Sequence, residues 1–368
     1  MIQLRKIGKY ILLLINALAL IVLLLSAFSG FVPPYVSVIP SYLGLFFPFI
    51  VVGNVVLLLF WMIVQKWKVV LANFIALLIC GGSIQTYFPI NKKTEKLPEN
   101  CIKLLSYNVM RFQWVKKDNP DDPNEILHYI KDSNADIVCL QEYGASFNHN
   151  SFLSQKQITT ALKDYPYSHI QELNFPYEGE VFGLAIYSKF PILSTKKVPY
   201  DSNYNGSFIA ELDINGKRMT LINNHLESNK LSQEERDDYY NLTHDMDSQA
   251  LNSFTKMMFK RLTPAYKIRA QQAQLIAKEI KDSKNPYVIV CGDFNDTPIS
   301  YARHKIKGNL KDAFVESGSG LGITYNKYRF LFRIDYILHS KNIKSYNCSV
   351  GSIKNSDHYP VSCYLQLN

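Results

Sequence analysis

Residues 288–295 read Val-Ile-Val-Cys-Gly-Asp-Phe-Asn, an apolar run of strand type that ends abruptly on Gly292, Asp293 and Asn295. A short unbroken run rich in β-branched residues fits a strand covered on both faces. The polar residues after it mark where such a strand leaves its sheet. The same design recurs downstream of residue 100. Leu104-Leu105-Ser106-Tyr107 leads into Asn108, Val138-Cys139-Leu140-Gln141 into Glu142, and Leu221-Ile222-Asn223-Asn224 into His225. Near the end, Asn355-Ser356 leads into Asp357-His358 just before a last apolar strand. A single strand-ending Asn or Asp is ordinarily a turn residue. Five such ends in succession, each offering a metal ligand or an acid–base group, point to strands that finish on one sheet edge and gather these side chains there.

Between these runs the period changes. Glu125–Ser133 and Tyr266–Asp282 read as helices, the second with Ile268, Leu275, Ile276 and Ile280 on one face. Ile102–Val109, Asp136–Gln141, Tyr287–Cys291, Ile334–Leu338 and Pro360–Leu367 read as strands. Ser207–Asp213 and Lys217–Asn223 flank Ile214-Asn215-Gly216, and Asn-Gly between two such runs is the strongest short hairpin signal. Hairpins mixed with helical crossovers predict an α+β layered domain with mixed or antiparallel sheets.

The first 90 residues are of another kind. They contain no Asp or Glu and five basic residues, Arg5, Lys6, Lys9, Lys66 and Lys68. Three apolar stretches, about 10–32, 42–65 and 69–88, approach the roughly 20 residues that a helix needs to cross the hydrocarbon core. They predict three transmembrane helices: the first is long for a signal-peptide core, and two more follow it closely. Pro33-Pro34 separates the first from the second, and Lys66-Trp67-Lys68 the second from the third. Residues 91–100, beginning NKKTEKLPE, read as a polar linker, and 101–368 as the soluble domain. Basic residues favour the cytoplasmic side, which places the start and the 66–68 turn there. The chain is therefore expected to be an integral protein of the cytoplasmic (inner) membrane with its domain on the outer, periplasmic side.

Charge says less than it first suggests. The net charge of the 368 residues is +9, and removing the five basic residues of the apolar segment leaves +4 for 91–368. That is too mild to argue for nucleic acid. Of the six cysteines, Cys139 and Cys291 lie in apolar runs and read as buried small hydrophobes. Cys348 and Cys363 fall in two C-terminal strands and are in a position to pair if those strands are neighbours. No Cys/His spacing suits zinc.

The ordered pieces SYNV (106–109), QE (141–142), NNHL (223–226), GDFN (292–295), RIDYIL (333–338) and SDHYPV (356–361) together resemble the endonuclease/exonuclease/phosphatase superfamily, from about residue 101 to the terminus. That group includes pancreatic-type deoxyribonuclease, abasic-site endonucleases, neutral sphingomyelinases and inositol polyphosphate 5-phosphatases. The resemblance implies a four-layered α/β sandwich as the catalytic domain, and it implies roles. Glu142 would be the principal Mg²⁺ ligand with Asn108 and Asp357 nearby, Mn²⁺ being a possible substitute. Hard oxygen donors suit such an ion. Asp293 would orient or deprotonate the attacking water, and Asn295 would hold the phosphoryl oxygen or the nucleophile. Asp335 would fix the tautomer of His358, and His225 would contact the phosphate or protonate the leaving oxygen. Arg111 and Arg333 are further phosphate contacts to weigh against structural roles. His225 resembles the deoxyribonuclease, sphingomyelinase and 5-phosphatase branches more than the abasic-site enzymes.

The function implied is Mg²⁺-dependent hydrolysis of a phosphate ester by in-line attack of water, of phosphodiesterase or nuclease type. The alternative is a phosphatase or phospholipid phosphodiesterase working at the membrane. A non-catalytic scaffold would show eroded ligands, and none is seen. A transporter would usually place a charge inside a span, and none is there. The partners expected are the lipid bilayer and the substrate, nucleic acid or phospholipid being left open, with no obligate protein partner. The segment 230–262, charged at first and then carrying Phe254, Met257, Met258, Phe259 and Leu262, reads as a packed amphipathic helix or as a rim over the site. His244, Asp245 and Asp247 read as solvated.

Overall fold

The computed structural model describes residues 2–114, 124–146, 153–173, 179–200, 202, 204–230, 248–327 and 332–368. Downstream of residue 100, apolar side chains alternate at period two and build two six-stranded sheets. The first contains β1 (Cys101–Asn108), β2 (Ile137–Ser146), β3 (Tyr167–Glu172), β4 (Glu180–Ser188), β11 (Ile343–Val350) and β12 (Val361–Leu367), in the order β11-β12-β1-β2-β4-β3. The second contains β5 (Ile192–Lys197), β6 (Gly206–Ile214), β7 (Lys217–His225), β8 (Tyr287–Asp293), β9 (Lys311–Asp312) and β10 (Asp335–His339), in the order β5-β6-β7-β8-β10-β9. The predicted hairpin forms with Ile214 opposite Lys217, and its two turn residues, Asn215 and Gly216, take φ of 52° and 87°. Positive φ at both positions is what an Asn-Gly turn supplies cheaply.

Neighbouring residues on one strand serve different layers. Leu104 and Cys139 point between the sheets and meet Phe208, Leu221 and Ile289. Leu105 and Val138 point outward and pack under Ile126 and Ile130 of α6 (Glu125–Asp132) and Ile158 of α7 (Gln155–Ala161). On the other side Ile222 and Val290 pack under Ala273 and Ile276 of α8 (Ser248–Asp282) and Ile306 of α9 (Tyr301–Lys307). The order is helix, sheet, sheet, helix, the four layers expected. Each such Leu or Ile, fully buried, contributes about 1.5–3 kcal/mol. α8 begins well before Tyr266 and carries Pro264 inside it. Cys139 and Cys291 are buried, while Cys348 and Cys363 lie on neighbouring strands as buried free thiols.

Topology decides where the chemistry lies. β1 runs parallel to β2 with Asn108 opposite Gln141, and β7 runs parallel to β8 with His225 opposite Asp293. The ends of all four strands therefore share one edge of the sandwich. β10 starts at that edge, Asp335 facing Asp293.

The N-terminal segment differs from three straight rods. α1 (Ile2–Ala27) stops short of residue 32 because the chain turns at Ser29–Phe31 and docks on the domain. By length and composition, Lys6–Ala27 can cross a membrane. The second stretch is α2 (Ile39–Leu45) followed by α3 (Phe47–Ile63), bent by 70°; the third is α4 (Trp67–Ile79) followed by α5 (Gly81–Tyr87), bent by 56°. Each counts as a span only if a bent pair is taken as one. Pro48 lies in the first turn of α3, where a missing N–H does no harm but the helix cannot continue from α2. Gly81-Gly82 follows the second break. The polar turn is at 64–66, with Gln65 at φ 57°, and Trp67 and Lys68 already belong to α4.

Candidate active site

Two backbone devices aim the side chains. β2 carries a bulge between Leu140 and Tyr143 with Glu142 in it at φ 49°. A non-glycine residue in that region costs about 1–3 kcal/mol and persists only where its surroundings hold it. Here the bulge turns the Glu142 carboxylate off the strand toward the cleft. At Gly292, φ is 120°, and an added Cβ would come within 2.1 Å of the Asn224 carbonyl oxygen, so the chain enters Asp293 along a path open only to glycine. Behind the site the sheets are joined by Gln141, whose Nε2 donates to Asn223 Oδ1 at 2.7 Å, while Asn223 Nδ2 donates to the Leu140 and Ala185 carbonyls.

The eight expected residues converge. Asn108, fully buried, donates from Nδ2 to Glu142 Oε1 and to Asp293 Oδ2, each at 3.2 Å. His225 Nε2 is 3.7 Å from both Glu142 Oε1 and Asp293 Oδ2. Asn295 donates its backbone N–H to Asp293 Oδ1 at 2.8 Å and its side chain to the Leu226 carbonyl at 2.9 Å. His358 places Nδ1 2.8 Å from Asp335 Oδ2 and Nε2 3.6 Å from Asp293 Oδ2. Asp357 faces the same cleft as Glu142, Asp293, Asn295 and His358.

Electrostatics divide the two histidines. Burial lowers the His225 pKa below its usual value, against the pull of Asp293. Burial also opposes a charge on His358, but the carboxylates of Asp335 and Asp293 outweigh it and hold the imidazole well above its usual range. Burial pushes the Asp293 carboxyl up to about 6 despite His358. Burial raises the Glu142 carboxyl, and the negative charge of Asp357 raises it further. Two imidazoles pushed in opposite directions beside buried carboxylates are a usual way to split acid and base duties.

That strain between Glu142 and Asp357 is what a divalent cation relieves. The Glu142 and Asp357 carboxylates are hard oxygen donors of the kind Mg²⁺ takes, so they fit the ion. Asn108, expected beside them as a ligand, instead gives its Oδ1 to the Met110 N–H at 3.1 Å and turns Nδ2 to the carboxylates of Glu142 and Asp293, which it positions. Among the described residues, one His/Asp group closes within 4.8 Å, formed by Asp293, Asp335 and His358. Its Asp335 Oδ2 bonds His358 Nδ1, which makes a carboxylate–imidazole pair within this group.

Other expectations are sorted by the same geometry. Arg333 is 3% exposed and bonds Asp312 and the Thr86 carbonyl, so it is structural. The Arg111 guanidinium lies over the Phe182 ring at 4.6 Å, and its charge also acts on Glu142. Residues 231–247, including His244, Asp245 and Asp247, lie outside the described residues, as do the side chains of Phe254, Met257 and Met258. Leu262 is buried and Phe259 is 58% exposed. Asn205 had no signal in the sequence: it lies in a loop before β6, and its Nδ2 contacts His225 Nε2 at 3.2 Å and the Leu226 carbonyl.

Residues 105–358 match the Endonuclease/Exonuclease/phosphatase family, and residues 9–87 match a domain of unknown function (DUF8431). No curated protein matches the chain. Similar solved structures include TDP2 from C. elegans, at 18% identity and a TM-score of 0.48, covering 74% of this chain and 76% of that one. An endonuclease/exonuclease/phosphatase from Bacteroides vulgatus has 19% identity and a TM-score of 0.48 over 73% of this chain and 100% of its own. A family protein from Leptotrichia buccalis C-1013-b has 16% identity and a TM-score of 0.49, over 72% and 99%. Enzymes of this family are divalent-metal-dependent phosphoesterases, and with the family matched over most of its length, this chain belongs to the endonuclease/exonuclease/phosphatase family.

Proposed function

We propose that the chain hydrolyses a phosphodiester with Mg²⁺, and that Asp293 is the group that takes the proton from the attacking water. The observation that carries this is the position of the Asp293 carboxylate: buried, within 3.2 Å of Asn108, and 3.6–3.7 Å from the two histidines. Glu142 and Asp357 would hold the ion, with Asn108 positioning Glu142 through Nδ2, and the ion would supply positive charge to the phosphoryl oxygens. Water oxygen then bonds to phosphorus in line with the ester oxygen that leaves. Its proton passes to Asp293, which Asn295 keeps in place through the Oδ1 bond. His358, charged and oriented by Asp335, donates a proton toward the departing oxygen. His225 faces the same space with Nε2, 3.7 Å from Glu142 and Asp293, and Asn205 fixes its ring by donating from Nδ2 to that nitrogen at 3.2 Å. General acid–base help of this kind is worth about 10²–10⁴ in rate.

The chain is read as integral to the inner membrane, with the domain on the periplasmic side. This reading is supported by the apolar α1 helix and by the five basic residues, three at the start and two, Lys66 and Lys68, where the 64–66 turn enters α4.

The test uses the full chain in detergent with bis(p-nitrophenyl) phosphate and Mg²⁺. Asp293→Asn and Glu142→Ala are each expected to lower kcat by about 10²-fold or more. Turnover at the wild-type rate in both variants, with Mg²⁺ still required, would defeat the proposal.

A further inference from the structure

The apolar N-terminal segment is built into the catalytic body and is not tied on by the linker alone. Ser29 Oγ donates to the Ile299 carbonyl at 3.1 Å, and a Cβ on Gly30 would lie 2.8 Å from that oxygen, so the turn after α1 sits directly on the domain. Phe31 stacks on His304 at 4.3 Å. Arg333 bonds the Thr86 carbonyl of α5. Asn91, where the linker starts, donates to the Val315 and Gly318 carbonyls.

The bend before α3 brings α2 across the mouth of the active site. Tyr42 bonds Thr263 Oγ1 at 2.7 Å, and its ring packs on Tyr266 at 5.6 Å and Phe259 at 5.2 Å. One turn on, Leu45 lines the same cleft as Glu142, Asp293 and His358. Phe47, two residues further, begins the apolar helix α3. Leu45, the last residue of α2, thus lies in the catalytic cleft two residues before the apolar helix α3 begins. Leu262, Tyr325, Phe332 and Ile334 complete an apolar collar around the carboxylates.

Charge at the mouth points the same way. Among the described lining residues, the Lys and Arg side chains are Lys230 and Arg269. Lys230 is paired with Glu227 at 2.5 Å, and Arg269 is spent on Asp296, Asn229 and the Glu227 carbonyl. Among the described lining residues, neither Lys nor Arg is left for the backbone of a polynucleotide, which needs several uncommitted cations, and α2 stands on one side of its approach. A phosphodiester whose apolar tail stays beside α3 meets neither obstacle.

We infer that the substrate is a lipid-borne phosphodiester, with its phosphate at Asp293 and its apolar chain leaving past Leu45 into the bilayer. The inference rests on the phosphodiesterase reading of the site and on α3 lying in the membrane. Full-length protein in phosphate-free alkyl maltoside micelles is given p-nitrophenyl methyl phosphate or p-nitrophenyl hexadecyl phosphate with Mg²⁺, and nitrophenolate release is followed. The hexadecyl ester is expected to show kcat/KM about 100-fold higher. Leu45→Glu should cut that preference at least about tenfold, and Leu45→Ala by less. The preference is a ratio, so it does not depend on how much of a variant folds. Equal rates on the two esters, or a preference untouched in both Leu45 variants, would overturn the inference and leave the phosphodiesterase reading standing. No nitrophenolate from either ester would overturn both.

Discussion

Asp312 sits where the domain is clamped to the N-terminal segment, and its removal has a cost that follows from its contacts. Its side chain is 1% exposed. Oδ2 accepts from Arg303 at 2.5 Å and Arg333 at 3.4 Å, and Oδ1 accepts from the backbone of Phe314 and Val315, capping the short helix Ala313–Ser317. Burial works against its charge, but Arg333 and Arg303 outweigh it and hold the carboxyl below the usual range. Asp312→Ala leaves two buried guanidiniums with only the Pro298 and Thr86 carbonyls as acceptors. Stranding a buried charge costs about 3–5 kcal/mol, and losing the cap adds about 1 kcal/mol. At about 2–4 °C per kcal/mol for domains of this order, a total of about 4–6 kcal/mol lowers the thermal midpoint by about 8–24 °C. Differential scanning fluorimetry of the full chain in detergent reads this directly. Asp312→Asn keeps the cap acceptor and should fall between Ala and wild type. Replacing the trio together, Asp312→Leu with Arg303→Met and Arg333→Met, should cost less than Asp312→Ala alone, because no charge is stranded. A midpoint change below about 4 °C for Asp312→Ala, or a triple variant less stable than it, would refute this account of the cluster.

Glu316 gives a pH-dependent counterpart. Burial raises its carboxyl, but bonds from His339, Lys311 and Ser345 outweigh burial and bring it to about 2, from an ordinary 4.5. A depressed carboxyl stabilises fully above about 4.5 and loses that contribution as pH falls toward 2. The gap in thermal midpoint between wild type and Glu316→Gln should therefore narrow steadily across that window; a gap constant with pH would contradict it. The topology is tested with an alkaline-phosphatase reporter, active only outside the cytoplasm, carried after Asn368. Activity is expected, and silence would reverse the orientation.

Much of the active site was legible because its residues end apolar strands, and a strand's end is a local signal. Asn108, Glu142, His225 and Asp293 each follow an apolar run, and parallel pairing then carries them to one edge. Arg333 was ambiguous for the opposite reason: an arginine beside a strand looks the same whether it meets phosphate or a buried carboxylate. Only its partner Asp312, 21 residues away, decides between them. Asn205 was invisible because a loop asparagine carries no periodicity, and its value lies in contacts made across β6 and β7.

By itself, then, the sequence determined the layered α/β domain, the Asn215-Gly216 hairpin, the apolar character of the first 90 residues and the set of groups at the site. These depend on side-chain period and turn chemistry within a few residues. The tertiary structure alone decided that Glu142 is aimed by a bulge at φ 49°, that burial and carboxylates push His225 and His358 in opposite directions, and that α2 bends away from α3 to set Leu45 at the cleft. Those outcomes depend on burial and on neighbours distant in the chain, which no local pattern encodes. What began as an anchor read from hydropathy is, in the folded protein, one wall of the site.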